Sequence, residues 1–180
     1  VSPKKAGSGL VAVPVFSNTR LHGVAREYRS DSKGQFTGML KTASFTGEPG
    51  ESLTQYAMAG SGSVGLHLRG VGARGEFDAE RFGAEVMKAH GQGGASVMTF
   101  HLDGFKLSPD EAARAVVGAR LAAYQFLKYR TTGRGRDAIL VTTIRVTVDE
   151  PAKARAAYQG YHGPVCDGQL LARDLVNEPA

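Results

Sequence analysis

Strands alternating with covering helices predict an α/β protein, a three-layer α/β/α sandwich around a mixed central sheet. Three observations carry this. Short β-branched runs recur at 10–16, 53–59, 64–71, 95–102 and 138–148. Helices with recognisable starts at Asp78 and Ser108 fall between the later ones. The runs at 53–59 and 64–71 are joined by Gly60-Ser61-Gly62-Ser63, a hairpin-like connection that makes one pair antiparallel.

The first run, Leu-Val-Ala-Val-Pro-Val-Phe at 10–16, has the length of a buried strand. Pro14 cannot donate a ladder hydrogen bond, which places this strand at an edge or bulges it there. Residues 20–44 space Leu21, Val24, Ala25, Tyr28, then Phe36, Met39, Leu40 and Ala43 three to four apart, with Asp31-Ser32-Lys33-Gly34 between. This predicts two short helices and a turn. Thr46 to Ser52 is turn chemistry, with Gly47, Pro49 and Gly50. In the hairpin's second strand Val64, Leu66 and Leu68 face inward, and Gly65, His67 and Arg69 face out to make it half exposed.

Asp78 is a good N-cap for a helix whose stripe is Phe82, Val86 and Ala89 and whose stop is the glycine run 91–94. Ser108-Pro109-Asp110-Glu111 combines an N-cap, a first-turn proline and a capping-box glutamate. The helix that follows is expected to run about twenty residues, Pro109 to Lys128, with Ala112, Val116, Ala119, Ala123 and Phe126 on its buried face. Ile139, Val141, Ile144, Val146 and Val148 then mark another strand, and Pro151 to about Val176 is helical. Within that helix Pro164 must either kink the chain or start a fresh helix.

At 180 residues, 42% hydrophobic and 22% charged, the chain reads as one globular unit with a core of its own. No apolar run approaches the roughly 20 residues of a membrane span. The start, Val1-Ser2-Pro3-Lys4-Lys5, lacks the apolar stretch of a secretory signal, so a cytoplasmic address is expected. Cys166 is the only cysteine, which excludes an intrachain disulfide and a cysteine-based metal site. A net charge of +5 permits polyanion binding without demanding it. Much of the excess lies in 128–136, where Lys128, Arg130, Arg134 and Arg136 read either as a solvated loop or as a nucleic-acid contact.

Other motifs favour structural readings. His22, His67, His90, His101 and His162 fall on different elements without ligand spacing and are expected to be isolated surface or edge residues. Asp110-Glu111 and Asp149-Glu150-Pro151 sit where helix starts need acidic groups. The glycines of 59–65 have no Gly-Lys-Ser/Thr after them, so a hairpin turn is expected rather than a phosphate loop. Cys166, beside Val165 and Leu170, reads as a small apolar residue unless it is exposed.

Phe45 to Glu51, Gly65 to Gly72, Tyr124-Gln125-Phe126-Leu127-Lys128-Tyr129-Arg130-Thr131 and the terminal Ala172-Arg173-Asp174-Leu175-Val176-Asn177-Glu178-Pro179 occur in that order. Together they resemble the N-terminal domain of the leucyl aminopeptidase (cytosol aminopeptidase) family across essentially the whole chain. The resemblance implies a macro-domain-like α/β/α sandwich, here residues 1–150, and a connecting helix at 151–180 leading toward a C-terminal peptidase domain. It also implies a hexameric parent that releases N-terminal residues from peptides. The parent's two divalent metals, zinc or manganese, sit in the C-terminal domain around an Asn-Thr-Asp-Ala-Glu-Gly-Arg signature absent from these residues. The chain is therefore expected to be inactive alone, with no catalytic or metal residue transferred to it. Its role would be oligomer assembly and access to the active site. Gly163-Pro164 departs from the longer, uninterrupted helix that the resemblance leads one to expect.

Overall fold

The computed structural model describes residues 9–17, 35–59, 62–129, 131 and 138–179. The element order is β1 (Gly9–Phe16), α1 (Gln35–Thr42), β2 (Ser52–Ala59), β3 (Gly62–Gly72), a 3₁₀ turn (Arg74–Glu76), α2 (Ala79–His90), β4 (Val97–His101), α3 (Pro109–Ala122), β5 (Thr143–Thr147), α4 (Pro151–Ala157), a π-helical turn (Tyr158–His162) and α5 (Gly163–Asn177). The expected helix at 20–28 lies outside the described residues.

Five strands form one mixed sheet in the order β2-β3-β1-β4-β5. The β2–β3 pair is antiparallel, from Ser52↔Arg69 to Ala59↔Gly62, and the remaining pairs are parallel. This is the mixed sheet expected from the hairpin. The connecting residues 60 and 61 lie outside the described residues.

Pro14 is not on an edge strand. β1 is central, paired with β3 along its length. Its ladder with β4 covers only Leu10 to Ala12, so the proline falls beyond it. The register with β3 shifts one residue later, between Val15 and Phe16.

Strand β3 is also more enclosed than its alternation suggests. Val64 to Leu68 are all buried, His67 with 2% exposure, because β3 lies between two strands and both its faces are covered. Side chains from Leu10, Ala12, Met98 and Phe100 build one core with Phe82, Val86 and Met87 of α2 and Ala112, Ala115 and Ala119 of α3. Val11, Val13, Val15, Leu66 and Leu68 build the opposite core, against Met39 and Leu40 of α1 and Phe105. These are the three layers.

Local signals fixed the helix starts. Asp78 accepts from the backbone N–H groups of Glu80 and Arg81. Ser108 and Glu111 form a complete capping box ahead of Pro109. The buried stripe of α2 is Ala79, Phe82, Gly83, Val86 and Met87, whereas Ala89 is exposed. α3 ends at Ala122 rather than Lys128. β5 is likewise shorter than its apolar run: Leu140 donates to the Gly91 carbonyl, and Thr142 and Thr143 to that of Ser96, so 138–142 bonds to a loop instead of the sheet.

The turn at 46–51 is closed by one carboxylate. Glu51 accepts from the backbone N–H groups of Thr46, Gly47 and Glu48, and the bond from Thr46 leads in holding its carboxyl below the usual range. Gly47 (φ +89°) lies so close to Phe16 that a Cβ would stand 2.9 Å from its carbonyl oxygen.

Pro164 lies in the first turn of α5, the fresh helix that is one of the two outcomes expected of it. The N–H of Gly163 bonds the Tyr158 carbonyl, five residues back, and Pro164 enters the first turn of α5 directly after this π turn. A proline ring collides with the carbonyl four residues earlier in a regular α-helix, and the widened turn is the adjustment that accommodates it.

Candidate functional site

A series of polar contacts among the described residues ties the terminal helix to α3 and the segment after it. It starts with Arg120, in the last turn of α3. Its guanidinium donates to the Tyr158 hydroxyl at 2.8 Å and to Asp167 at 2.7 Å, gripping the π turn and α5 together. Next, Arg173 donates to the Leu121 carbonyl at 2.9 Å and lies over the Tyr124 ring. The Tyr124 hydroxyl donates to Asp174 at 2.9 Å and accepts from Asn177 at 3.3 Å. Finally, Lys128 and Tyr129 both donate to the Glu178 carboxylate. The hydrogen bond to Glu178 leads in raising the Lys128 pKa, and that from Lys128 leads in lowering the Glu178 pKa.

This arrangement explains the early end of α3. Residues 124–129 leave the helix to meet the end of α5, so tertiary contacts override their helical spacing. Two stretches that carried the resemblance, 124–131 and 172–179, are also shown to be partners in space. Arg120, Tyr158 and Asp167 belong to neither stretch and gave no sequence signal.

Of the candidate nucleic-acid contacts, Lys128 is described, and its ammonium is engaged by Glu178. Arg130, Arg134 and Arg136 lie outside the described residues. The acidic pairs take structural roles. Glu111 closes the capping box and meets Arg74 at 2.9 Å; Asp110 meets His162 at 2.8 Å; Asp149 accepts from the Gly104 N–H at 2.8 Å; and Glu150 pairs with Lys153. Cys166 is buried, and desolvation pushes its thiol pKa up. The histidines are less isolated than expected. Buried His101 contacts Thr147 and Asp103, and buried His67 meets Thr54 and His90.

The paired metals implied by the resemblance need clustered acidic ligands that polarise a carbonyl and generate hydroxide. No group of three or more His, Cys, Asp or Glu side chains among the described residues could hold an ion, so these residues do not fit that centre. No described helix is long and apolar enough to cross a membrane.

Arg120→Ala is expected to cost about 1–2 kcal/mol, since two hydrogen bonds from the charged guanidinium, one to a hydroxyl and one to a carboxylate, are lost at a site that is 31% exposed. Amide exchange should accelerate first in 158–170 and only later in the sheet. Uniform acceleration across the chain would contradict the local anchoring.

The chain is similar to known proteins along nearly its full length. The family described as the cytosol aminopeptidase family, N-terminal domain, matches residues 12–133. A probable cytosol aminopeptidase of Afipia carboxidovorans is 35% identical over 97% of this chain. One from Caulobacter vibrioides is 29% identical over 100% of it. The chain covers 35% and 36% of those two proteins, about a third of their length. A tomato leucine aminopeptidase variant has the same fold over 98% of this chain and 36% of its own, with a TM-score of 0.72 at 17% identity. The bottromycin maturation enzyme BotP in complex with Mn matches 96% of this chain and 32% of its own, with a TM-score of 0.63 at 22% identity.

Proposed function

Because this chain belongs to the cytosol aminopeptidase family, as its N-terminal domain, we propose that it is the non-catalytic domain of a cytosolic metallo-exopeptidase that releases N-terminal residues from peptides. Residues 1–150 are the body of that domain and 151–180 the helix that connects it to a peptidase domain, where the two divalent metals are held. Its work is mechanical: it fixes the direction of that helix, contributes to oligomer assembly and shapes access to the catalytic cavity.

The observation that carries this reading is the two-sidedness of the last helix. Its inner face, with Cys166 and Leu170 at its centre, is tied to α3 and the 124–129 segment by the network described above. Its outer face carries Tyr161, Val165, Leu171, Leu175 and Val176, five of the eight large hydrophobic residues that stand exposed among the described residues. Such a concentration on one rigid element marks a surface built to be covered.

The chain as it stands is expected to release no product from an aminoacyl chromogenic substrate with added manganese. Turnover comparable to a full-length relative would overturn the non-catalytic assignment. When the remaining two thirds are supplied from the Afipia relative, Leu175→Asp with Val176→Asp should lower both activity and the oligomer fraction seen by light scattering. Wild-type behaviour of that variant would remove the outer face from the proposal.

A further inference from the structure

The two edges of the sheet are built differently. β5, at one end, is five residues long and carries the exposed Arg145 at its centre. Shortness and a charge are the usual protections against a further strand pairing at an edge. β2, at the other end, has neither. Its eight residues, Ser-Leu-Thr-Gln-Tyr-Ala-Met-Ala, include no charge and no proline, and its register with β3 runs unbroken from Ser52 to Ala59.

One bond fixes which way its backbone groups point. Gly70 donates to the Glu51 carbonyl, one position before the Ser52↔Arg69 pair. Hydrogen-bonded and non-hydrogen-bonded positions alternate along an antiparallel ladder. Leu53, Gln55 and Ala57 therefore bond to β3, whereas Ser52, Thr54, Tyr56 and Met58 turn their N–H and C=O groups to the open edge. No strand pairs with that edge among the described residues. Tyr56, in the middle of the row, is 66% exposed.

We propose that the β2 edge is an interface with a second copy of this chain, whose own β2 pairs antiparallel to it about a twofold axis at Tyr56 and joins the two five-stranded sheets into one. A twofold axis perpendicular to the sheet keeps each face on its own side, so even-numbered residues must meet even-numbered ones. The outward row satisfies this with itself. Thr54 of each copy meets Met58 of the other and Tyr56 meets its counterpart, about six hydrogen bonds at two per pair. The two Tyr56 side chains stand opposite each other on one face as a cross-strand aromatic pair.

The chemistry of the edge favours a copy of itself over an unrelated strand. Both strands are uncharged, and antiparallel pairing sets Glu48 and Glu51 of one copy beside the uncharged far end of the other's strand. The contact is isologous and closes after two chains, whereas an unrelated strand would become a new open edge. This interface goes beyond the role given above to the last helix, which lies at the β5 end, where Leu170 and Ile144 line one cleft. Pairing of one strand with another lies at the small end of interfaces, below about 1,200 Å², so a weak, concentration-dependent dimer is expected.

The test is sedimentation equilibrium of the 180-residue chain, with amide exchange followed by NMR, from about 10 μM to about 1 mM, the range in which weak association is resolved. The mass should rise from 19.0 kDa toward twice that value. The amides of Thr54, Tyr56 and Met58 should gain protection with concentration, while those of Leu53, Gln55 and Ala57 are protected throughout. Tyr56→Lys, at an exposed position, sets like charges opposite each other and should weaken the dimer about fivefold or more. Leu175→Asp with Val176→Asp should leave it intact, which separates this interface from the outer face of the last helix. If Tyr56→Lys does not fold, the alternating protection of the unaltered chain carries the test. A monomeric mass at the highest concentration would overturn the proposal. So would protection of Thr54, Tyr56 and Met58 at every concentration, which would put a segment of the same chain on the edge. A dimer without the alternation, or one unchanged in Tyr56→Lys, would place the contact elsewhere and overturn it equally.

Discussion

Gly118→Ala is expected to destabilise the chain by about 2 kcal/mol or more, and Gly83→Ala to do the same. Helices α2 and α3 cross with backbone against backbone. A Cβ on Gly118 would stand 1.8 Å from the Glu80 carbonyl oxygen, and one on Gly83 would stand 1.9 Å from that of Ala115. Both obstacles are main chain, so no side chain can swing aside; the helices must separate. Separation loosens the core that Phe82, Val86 and Met87 share with Ala115 and Ala119. Alanine gains about 1 kcal/mol of helix propensity over glycine, and overpacking a core costs about 1–3 kcal/mol or occasionally more, with this geometry at the upper end. For a chain of this size a net loss of about 2 kcal/mol lowers Tm by roughly 4–8 °C. Thermal unfolding that leaves either variant within about 2 °C of wild type would show that the crossing tolerates a methyl group.

Acid is expected to weaken the fold through His67 across the window from about pH 6.5 down to about 3. Burial, then the charges of His90 and Arg69, push its pKa from 6.5 to about 3. The unfolded chain binds this proton below 6.5, whereas the folded chain refuses it until near 3, so the stability is fully present above 6.5 and is lost as pH falls. The slope reaches about 1.4 kcal/mol per pH unit, or roughly 4 kcal/mol across the window. His67→Asn keeps a polar atom near the Nδ1 position and removes the titration. Urea unfolding of the two proteins at pH 4 to 7 should give a flatter profile for the variant. Parallel profiles would assign the acid sensitivity to other groups.

What could be read in the sequence was what is decided locally. Asp78, Ser108 and Glu111 announce their helices because a cap needs only its own next three residues. The hairpin was visible because its two strands are neighbours in the chain, and the Tyr124 and terminal motifs were visible through resemblance. What escaped depends on distant parts. The centrality of β1, and hence the toleration of Pro14, follows from strand order rather than from the strand. Ala123 to Phe126 keep a helical spacing, yet Asp174 and Glu178 draw the segment that follows Ala122 toward the terminal helix. The pairing of His67 with His90 spans 23 positions and two elements. Gly83 and Gly118 look like weak points in two helices until the helices are laid across each other.

The π turn at 158–162 sets a phase. Inward-facing positions of the last helix run Ala154, Tyr158, Gly163, Cys166, Leu170, in steps of four, five, three and four; the single step of five is the inserted residue. One extra residue rotates everything beyond it by about 100° relative to a regular α-helix. If the same residues were wound as a regular α-helix without the π turn, the face begun by Ala154 and Tyr158 would continue through Tyr161 and Val165, turning hydrophobic residues from the outer surface inward and carrying Asp167 away from Arg120. The π turn thus absorbs one residue without changing which side of the helix faces outward, and a relative one residue shorter here, wound as a regular α-helix, would present the same side to its neighbour.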